Sequence, residues 1–278
     1  MIKLIALDLD GTLLDNNKKI PPCHLDAINS ALSKGIHVTF FTGRSRHSAM
    51  SVIRDLDFQI PMVFQNGALI TKGFSKEVIR KIELRADIAK RAYILSKDFG
   101  VFFVLYKDFF DEKDMVMEHP YNGEELLDYF TSSRWRHRYE DPLIYMEKSV
   151  AQIALVGEEN KIEEILNLLS EEFGEDQFTP VKSRQEMKES FWEIFAYGAG
   201  KESALRFLED YFKISPEEVM FVGDGYNDIG IVKIVGFPVA MGNATYEVKR
   251  HAKYIAPSNE DCGVAWAINN IALGSILS

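Results

Sequence analysis

The sequence predicts an α/β fold, in which an α+β domain interrupts a core formed by a doubly wound parallel sheet. Short apolar strands alternate with amphipathic helices at both ends of the 278-residue chain. This alternation is typical of parallel strands that are joined by helices. The middle of the chain instead has closely spaced aromatic strands, which favour antiparallel hairpins with helices packed on one side.

The N-terminal part has the spacing of strand, helix and strand in alternation. Leu25, Ile28 and Leu32 lie on one face of a helix, and Gly35 is a typical helix end. The runs before and after this helix are apolar or β-branched and end at polar turns. We expect, in order, a strand at Lys3–Leu7, a helix at His24–Lys34, a strand at His37–Phe41, a helix through Asp55 and a strand at Pro61–Phe64.

The C-terminal third repeats the same alternation. Apolar runs again end at polar turns, and the segments between them have helical spacing. We expect helices at Lys201–Phe212, Asn227–Val235 and Asp261–Ile271, and strands at Glu218–Val222 and Phe237–Met241.

These patterns predict two domains. Residues 1–81 and 190–278 form the core, and residues 82–189 form the inserted α+β domain. Within the insertion we expect strands at Val101–Tyr106, Phe109–Met117 and Gln152–Val156, and an amphipathic helix at Lys161–Phe173.

The net charge of the chain disfavours some classes of binding partner. The net charge is −10 and the pI is about 5.2. An acidic surface disfavours nucleic acid and anionic membranes as partners. It leaves room for a local site that binds a small anionic molecule, and no obligate protein partner is evident.

The cysteines and the apolar runs of the sequence indicate the cellular compartment in which we expect the protein. Cys23 and Cys262 are the only cysteines, and their spacing is not that of metal ligands, so we expect reduced thiols. We see no signal-peptide pattern and no apolar stretch of about 18 residues that would cross a membrane. We therefore expect a cytoplasmic protein.

Polar residues follow three of the predicted strands. They are Asp8-Leu9-Asp10-Gly11-Thr12, Thr42-Gly43-Arg44 and the run Gly223–Asp228. Any one acid at a strand end is more often a turn or helix-capping residue than a catalyst. In an open parallel sheet, however, ligands bind outside the carboxyl ends of the strands. The acids would converge there and repel one another unless a cation lay between them, and oxygen ligands suit Mg²⁺.

Such a site would favour phosphate chemistry. Backbone N–H groups in the glycine turns, the Thr42 hydroxyl and the Lys201 ammonium are typical phosphate ligands. A carboxylate can attack phosphorus and form an aspartyl-phosphate.

The motifs together resemble the haloacid dehalogenase (HAD) superfamily of hydrolases, in particular the Cof-like type with a large α+β cap (type IIB). The resemblance covers the core from end to end. It implies a Rossmann-like core, an inserted cap that sets specificity, and Mg²⁺-dependent hydrolysis of small phosphorylated metabolites, such as sugar phosphates. The matching motifs are DLDGTLL (8–14), TGR (42–44), QNGA (65–68), Lys201 within GAGKES, GDGYND (223–228) and AMGNA (240–244).

The resemblance also implies roles for individual residues. Asp8 would be the nucleophile, and Asp10 the general acid and base. Mg²⁺ would be held by the Asp8 carboxylate, the Asp10 carbonyl oxygen and Asp224, with Asp228 assisting directly or through another ligand. The phosphate-binding residues would be Leu9, Thr42, Gly43, Lys201 and Asn227, and contacts to the rest of the substrate would come from Arg44 and Asn66.

Two local features depart from simple expectation. Glu202 follows Lys201, where the family usually has a small residue. Glu202 either favours the helix start through the helix dipole or pairs with Lys201 and weakens phosphate binding. The basic stretch 134–139 has interleaved aromatic residues, which fits a solvated loop, an anion contact or single-stranded nucleic acid.

Other functions stay open at this point. GAGKES lacks the first glycine of a nucleotide-binding loop, and GDG lacks the third glycine of a dinucleotide fingerprint. A phosphomutase would use the same residues as a phosphatase. A non-catalytic phospho-acceptor or a metabolite-binding regulator would share the acidic site, but a phospho-acceptor would not need Asp10 or the inserted domain.

Overall fold

The computed structural model describes residues 1–53, 60–185 and 188–274. They divide into two compact units, one formed within residues 1–80 and 200–274 and one within residues 81–199. The strands are β1 (Leu4–Leu7), β2 (His37–Phe40), β3 (Pro61–Phe64), β4 (Leu69–Lys72), β5 (Val78–Lys81), β6 (Phe102–Tyr106), β7 (Met115–Met117), β8 (His137–Tyr139), β9 (Gln152–Gly157), β10 (Phe178–Gln185), β11 (Ser190–Ala196), β12 (Val219–Gly223), β13 (Phe237–Ala240) and β14 (Tyr254–Ile255).

The α-helices alternate with these strands. They are α1 (Pro22–Ser33), α2 (Arg46–Ile53), α3 (Ala86–Phe99), α4 (Leu127–Ser132), α5 (Glu159–Phe173), α6 (Lys201–Phe212), α7 (Ile229–Val232), α8 (Tyr246–Lys249) and α9 (Gly263–Ala267). Helix α1 begins with Pro22, whose fixed φ and missing N–H suit the first helical position. A π-helical turn over Ile268–Ala272 continues α9.

The first unit is built around a parallel sheet. Its strand order is β14-β13-β12-β1-β2, and every neighbouring pair in it is parallel. Strand β1 lies between β12 and β2, and all four of its side chains are buried. This order confirms the predicted parallel α/β core, and it aligns the ends of β1 and β12 at one edge of the sheet.

The second unit is an antiparallel sheet with helices on one face. Its strand order is β10-β11-β9-β6-β7-β8, and only the β7–β8 pair is parallel. Helices α3 and α5 pack on it through a cluster that includes Ile88, Leu105, Leu155 and Ile165. The predicted start of the second core segment at residue 190 falls at β11, which pairs with β9 within this unit.

One predicted strand is shorter in the structure. The strand predicted at Phe109–Met117 is reduced to β7, because Asp108 Oδ1 accepts hydrogen bonds from the N–H groups of Phe110 and Asp111 and so forms a turn. The helix predicted through Asp55 is described to Ile53, and its last two residues lie outside the described residues. Within the described ranges, no helix has the length and apolarity needed to cross a membrane.

The structure overturns the expectation of reduced thiols. Cys23 in α1 and Cys262, just before α9, form a disulfide with their Cα atoms 6.2 Å apart. The two cysteines are 239 residues apart in the sequence, so the sequence alone did not indicate that they are close. They come together because α1 and α9 pack against each other. Disulfides are rare in reducing compartments, so the cysteines no longer support a cytoplasmic location.

We predict that the double substitution Cys23→Ser and Cys262→Ser destabilises the first unit by about 2–5 kcal/mol, because the disulfide restricts the unfolded chain. Urea denaturation of the oxidised protein measures this loss. A thiol reductant should lower the midpoint of the wild-type protein toward that of the variant and leave the variant unchanged. Equal midpoints for the oxidised wild type and the variant would contradict the disulfide.

Candidate active site

The first pair of acids follows the buried strand β1. The Asp8 N–H donates to the Val222 carbonyl (3.0 Å) and so continues the pairing of β1 with β12 by one residue. Asp8 is itself buried. Because β1 and β12 run in parallel, Asp8 and Asp224 leave the same edge of the sheet although they lie far apart in the sequence.

Three carboxylates meet at this edge. One oxygen from each of Asp8, Asp224 and Asp228 lies within 4.8 Å of the others. Burial raises the pKa of Asp8 well above its usual range, and the charges of Asp228 and Asp224 raise it further. Burial and the charge of Asp228 raise the pKa of Asp224 to about 7. Closely spaced carboxylate oxygens are the donor set that suits a hard divalent cation such as Mg²⁺.

A buried ammonium group joins two of these acids. Lys201 is the first residue of α6, and its Nζ donates to Asp8 Oδ1 (2.5 Å) and Asp228 Oδ1 (2.6 Å). Burial lowers the pKa of Lys201, but the charges of Asp228 and Asp8 outweigh this effect and raise it. Lys201 is therefore a cation, and it compensates part of the buried negative charge.

Both oxygens of Asp228 accept hydrogen bonds. Oδ1 binds Lys201, and Oδ2 accepts the N–H groups of Asp224 and Gly225, each at 2.9 Å. A Cβ at Gly223 would lie 2.4 Å from Asp228 Oδ2, so this position requires glycine. Asp228 thus fixes the backbone that carries Asp224, and these contacts favour an indirect role for it at a metal.

Asp10 has a different environment from Asp8. Arg44 donates to it through Nε (2.5 Å) and Nη2 (2.6 Å), and Lys18 Nζ donates at 2.9 Å. Burial raises the pKa of Asp10, but the hydrogen bonds and charges of Arg44 and Lys18 outweigh burial and lower the pKa well below its usual range. As it stands, Asp10 is an ionised carboxylate, and its two cationic neighbours make it a weak base. To take up a proton, and so to donate one later, it must weaken its bonds to these cations.

The turn after Asp10 is shaped by Asp224. Gly11 has a φ of +74°, and a Cβ there would lie 2.2 Å from Asp224 Oδ2. Thr12 Oγ1 donates to Asp224 Oδ1 (2.8 Å), and Asn243 Nδ2 donates to the Gly11 carbonyl (2.7 Å). Sequence reasoning gave no role to Thr12, Asn243 or Lys18. Thr12 lies in the motif DLDGTLL and Asn243 in the motif AMGNA, so these motifs could have indicated a role for both residues. Lys18 lies in none of the motifs.

The expected phosphate ligands surround the same edge. The Leu9 side chain is buried. Thr42 is also buried, and its Oγ1 accepts the Arg44 N–H at 3.0 Å. A Cβ at Gly43 would contact the side-chain amides of Asn66 and Asn227. The structure therefore brings Gly43, Asn66 and Asn227 together, while Arg44, expected at the substrate, binds Asp10.

The structure shows the partners of Glu202 and of the basic stretch 134–139, whose roles the sequence left open. The exposed Glu202 side chain pairs with Arg206 (3.2 Å), whereas Lys201 binds the buried acids. In the basic stretch 134–139, Arg136 is buried and binds both oxygens of Asp114 (2.8 and 2.6 Å). The interpretation of this stretch as a solvated loop is therefore wrong for Arg136, which forms a buried ion pair of the second unit.

Comparisons with known proteins find similarity over almost the whole chain. The model of a haloacid dehalogenase-like hydrolase family matches residues 5–268. The chain is 29% identical to the 5-amino-6-(5-phospho-D-ribitylamino)uracil phosphatase YwtE of Bacillus subtilis (strain 168), over 98% of this chain and 99% of that one. YitU of the same organism, with the same phosphatase name, is 29% identical over 94% of each chain.

Solved structures share the whole fold. BT1666 from Bacteroides thetaiotaomicron has a TM-score of 0.84 with 23% identity, and the match covers 98% of this chain and 96% of that one. TM0651 from Thermotoga maritima has a TM-score of 0.77 with 27% identity and 98% coverage of both chains. The predicted fold class is confirmed by these similarities.

We predict that, in the metal-free protein, the contribution of Asp224 to stability falls as the pH rises from about 4 to about 7. Between the ordinary pKa of 3.8 and the value of about 7 in the folded protein, Asp224 holds its proton more tightly when folded. The contribution of this group to the free energy of unfolding therefore falls with pH, by up to about 1.4 kcal/mol per pH unit.

Urea denaturation with a chelator present, at pH 4.5 to 7.5, measures this slope. Other groups with shifted pKa values, among them Asp8, His24 and His137, also bind protons differently in the folded and unfolded states, so the profile of Asp224→Asn is measured beside that of the wild type. The wild-type free energy of unfolding should fall with pH more steeply, or rise less steeply, than that of Asp224→Asn. An unchanged slope in that variant would show that Asp224 is not the group responsible.

Proposed function

The chain belongs to the family of haloacid dehalogenase-like hydrolases, and we propose that it is a Mg²⁺-dependent phosphatase that hydrolyses small phosphorylated metabolites. The observation that carries this proposal is the meeting of Asp8, Asp224 and Asp228 around the buried Lys201 ammonium at the edge of a parallel sheet. Acids and a cation in this arrangement suit phosphoryl transfer, which depends on positioning and on compensation of charge.

The residues present fit a divalent cation. Asp8 and Asp224 would hold Mg²⁺ together with the Asp10 carbonyl oxygen, and Asp228 would support Asp224 through the backbone. When bound, Mg²⁺ would compensate the charges of the acids and of the phosphoryl oxygens. The remaining phosphoryl contacts would come from the N–H groups of Leu9 and Gly43, the Thr42 hydroxyl, Lys201 and Asn227.

The first step transfers the phosphoryl group to Asp8. A carboxylate oxygen of Asp8 attacks phosphorus, and the bond from phosphorus to the ester oxygen breaks. The electron pair of that bond stays on the ester oxygen, which takes the proton of the Asp10 carboxyl group and leaves as an alcohol. Lys201 favours the ionised form of Asp8 that this attack needs.

The second step hydrolyses the aspartyl-phosphate. Asp10, now a carboxylate, takes a proton from water while the water oxygen attacks phosphorus, and the bond to the Asp8 oxygen breaks. Phosphate leaves and Asp8 is restored. The ion pairs with Arg44 and Lys18 favour the ionised form of Asp10 before this step, and they must loosen for Asp10 to take the proton of the water.

The names of two relatives support a substrate class. YwtE and YitU are both named for a phosphate ester of a ribityl chain that is joined to a uracil ring. We propose that this chain also acts on a phosphorylated polyol or sugar, or on a related metabolite.

We predict that Asp8→Asn lowers the release of phosphate from a generic phosphate ester by at least about 10³-fold, because the amide is no nucleophile. A chelator should abolish turnover of the wild type, and added Mg²⁺ should restore it. Glu202→Gln is the matched control, because Glu202 pairs with Arg206 on the surface, and its rate should stay within about threefold of wild type. Turnover by pure Asp8→Asn would overturn the assignment of the nucleophile.

The products separate hydrolysis from the alternatives. With glucose 1-phosphate as the substrate, a phosphatase releases glucose and phosphate in equal amounts, whereas a phosphomutase gives glucose 6-phosphate. A phospho-acceptor would stop after one equivalent of phosphoryl group per chain. Continued release of phosphate, measured beyond one turnover, supports the proposed hydrolysis.

A further inference from the structure

The segment Gln65–Gly67 has an unusual backbone. Its three residues have φ values of +48°, +52° and +99°, a left-handed region that residues other than glycine rarely adopt. Two consecutive non-glycine residues in this region persist only where the surroundings impose the conformation, and such residues cluster at functional sites. The segment lies in the QNGA motif, to which the proposed mechanism assigns no step.

Backbone hydrogen bonds attach this segment to the turn after β2. The Gln65 N–H donates to the Arg44 carbonyl (2.9 Å), and the Asn66 N–H donates to the Thr42 carbonyl (3.0 Å). Gln65 and Asn66 therefore fix the turn that carries Thr42 and Gly43 through two backbone hydrogen bonds.

The Asn66 side chain reaches a second element. It is 1% exposed, and its Oδ1 accepts a hydrogen bond from Asn227 Nδ2 at 2.9 Å. An Asn Nδ2 carries two hydrogens, so this bond leaves one N–H of Asn227 for another acceptor. A Cβ at Gly43 would lie 3.3 Å from the Asn66 amide, so Gly43 permits this close packing.

Gly67 connects the segment to a third element. A Cβ at this position would lie 2.5 Å from the Gly200 carbonyl oxygen and 3.0 Å from the Ala204 Cβ. Gly200 directly precedes Lys201, the first residue of α6. The left-handed segment thus contacts the three elements that carry Thr42, Asn227 and Lys201.

We propose that Asn66 is a positioning residue, which orients the Asn227 amide so that its second N–H binds a phosphoryl oxygen. This role rests on the proposed phosphatase function. It differs from direct contact with the substrate, which the sequence led us to expect, because the Asn66 side chain is buried against Asn227.

A double-mutant cycle tests this role. Asn66→Gly removes the acceptor and keeps a residue that tolerates the local φ, and it should lower kcat/KM about tenfold, mainly through KM. Asn227→Ala should lower kcat/KM about 100-fold. If Asn66 acts through Asn227, the double variant will match Asn227→Ala within about twofold. A loss of about 1000-fold in the double variant would overturn the proposal.

Gln65→Gly is the matched control for backbone freedom. It introduces glycine one residue earlier, at nearly the same φ, and leaves the Asn66 side chain in place. Its kcat/KM should stay within about threefold of wild type, and a loss as large as that of Asn66→Gly would assign the effect to the loop instead. Asn66→Ser replaces the glycine variant in the cycle if thermal melting shows that Asn66→Gly is unfolded.

The same double-mutant cycle can be measured without turnover. Calorimetry gives the Kd of inorganic phosphate in the presence of Mg²⁺ for each of the four proteins. The ratios of Kd should follow the same pattern among the four proteins. A wild-type protein that hydrolyses no ester would overturn the proposed function alone, since the phosphate cycle still decides the role of Asn66. Additive changes in Kd would overturn the role of Asn66 even in an active enzyme.

Discussion

One buried cation determines how the site is built. Lys201 Nζ binds both Asp8 and Asp228, and all three residues are almost inaccessible to solvent. Removing one partner of such a group leaves the other charges buried and uncompensated, which is costly. The end of β1, the turn after β12 and the first turn of α6 therefore have to keep their relative positions. Asp224 depends on the same arrangement, because Asp228 binds its backbone N–H.

Glycine positions around this centre are required by packing. At Gly11 and Gly223, a side chain would occupy the space of the carboxyl groups of Asp224 and Asp228 respectively. Gly67 has the same relation to the backbone at the start of α6. Gly11 and Gly223 thus allow carboxyl groups to approach the backbone closely, and the N–H groups of Asp224 and Gly225 share in compensating the charge of Asp228.

The sequence predicted those features that depend on local pattern. The alternation of strands and helices indicated the parallel core, and polar residues at strand ends indicated where the acids of β1 and β12 would meet. Side-chain partners could not be predicted in this way. The pairing of Cys23 with Cys262, the contact of Lys18 with Asp10 and the bond between Asn66 and Asn227 join residues whose proximity arises only from tertiary packing.

The division of labour between Asp8 and Asp10 follows from their neighbours. Burial beside Asp228 and Asp224 raises the pKa of Asp8, with Lys201 opposing it, whereas Arg44 and Lys18 outweigh burial and lower the pKa of Asp10. Two identical side chains, two residues apart, thus differ in their readiness to hold a proton. The acid that faces other acids is suited to a cation and to phosphorus. The acid that faces two cations is held as a carboxylate, and it can take up a proton and pass it on only when those ion pairs loosen.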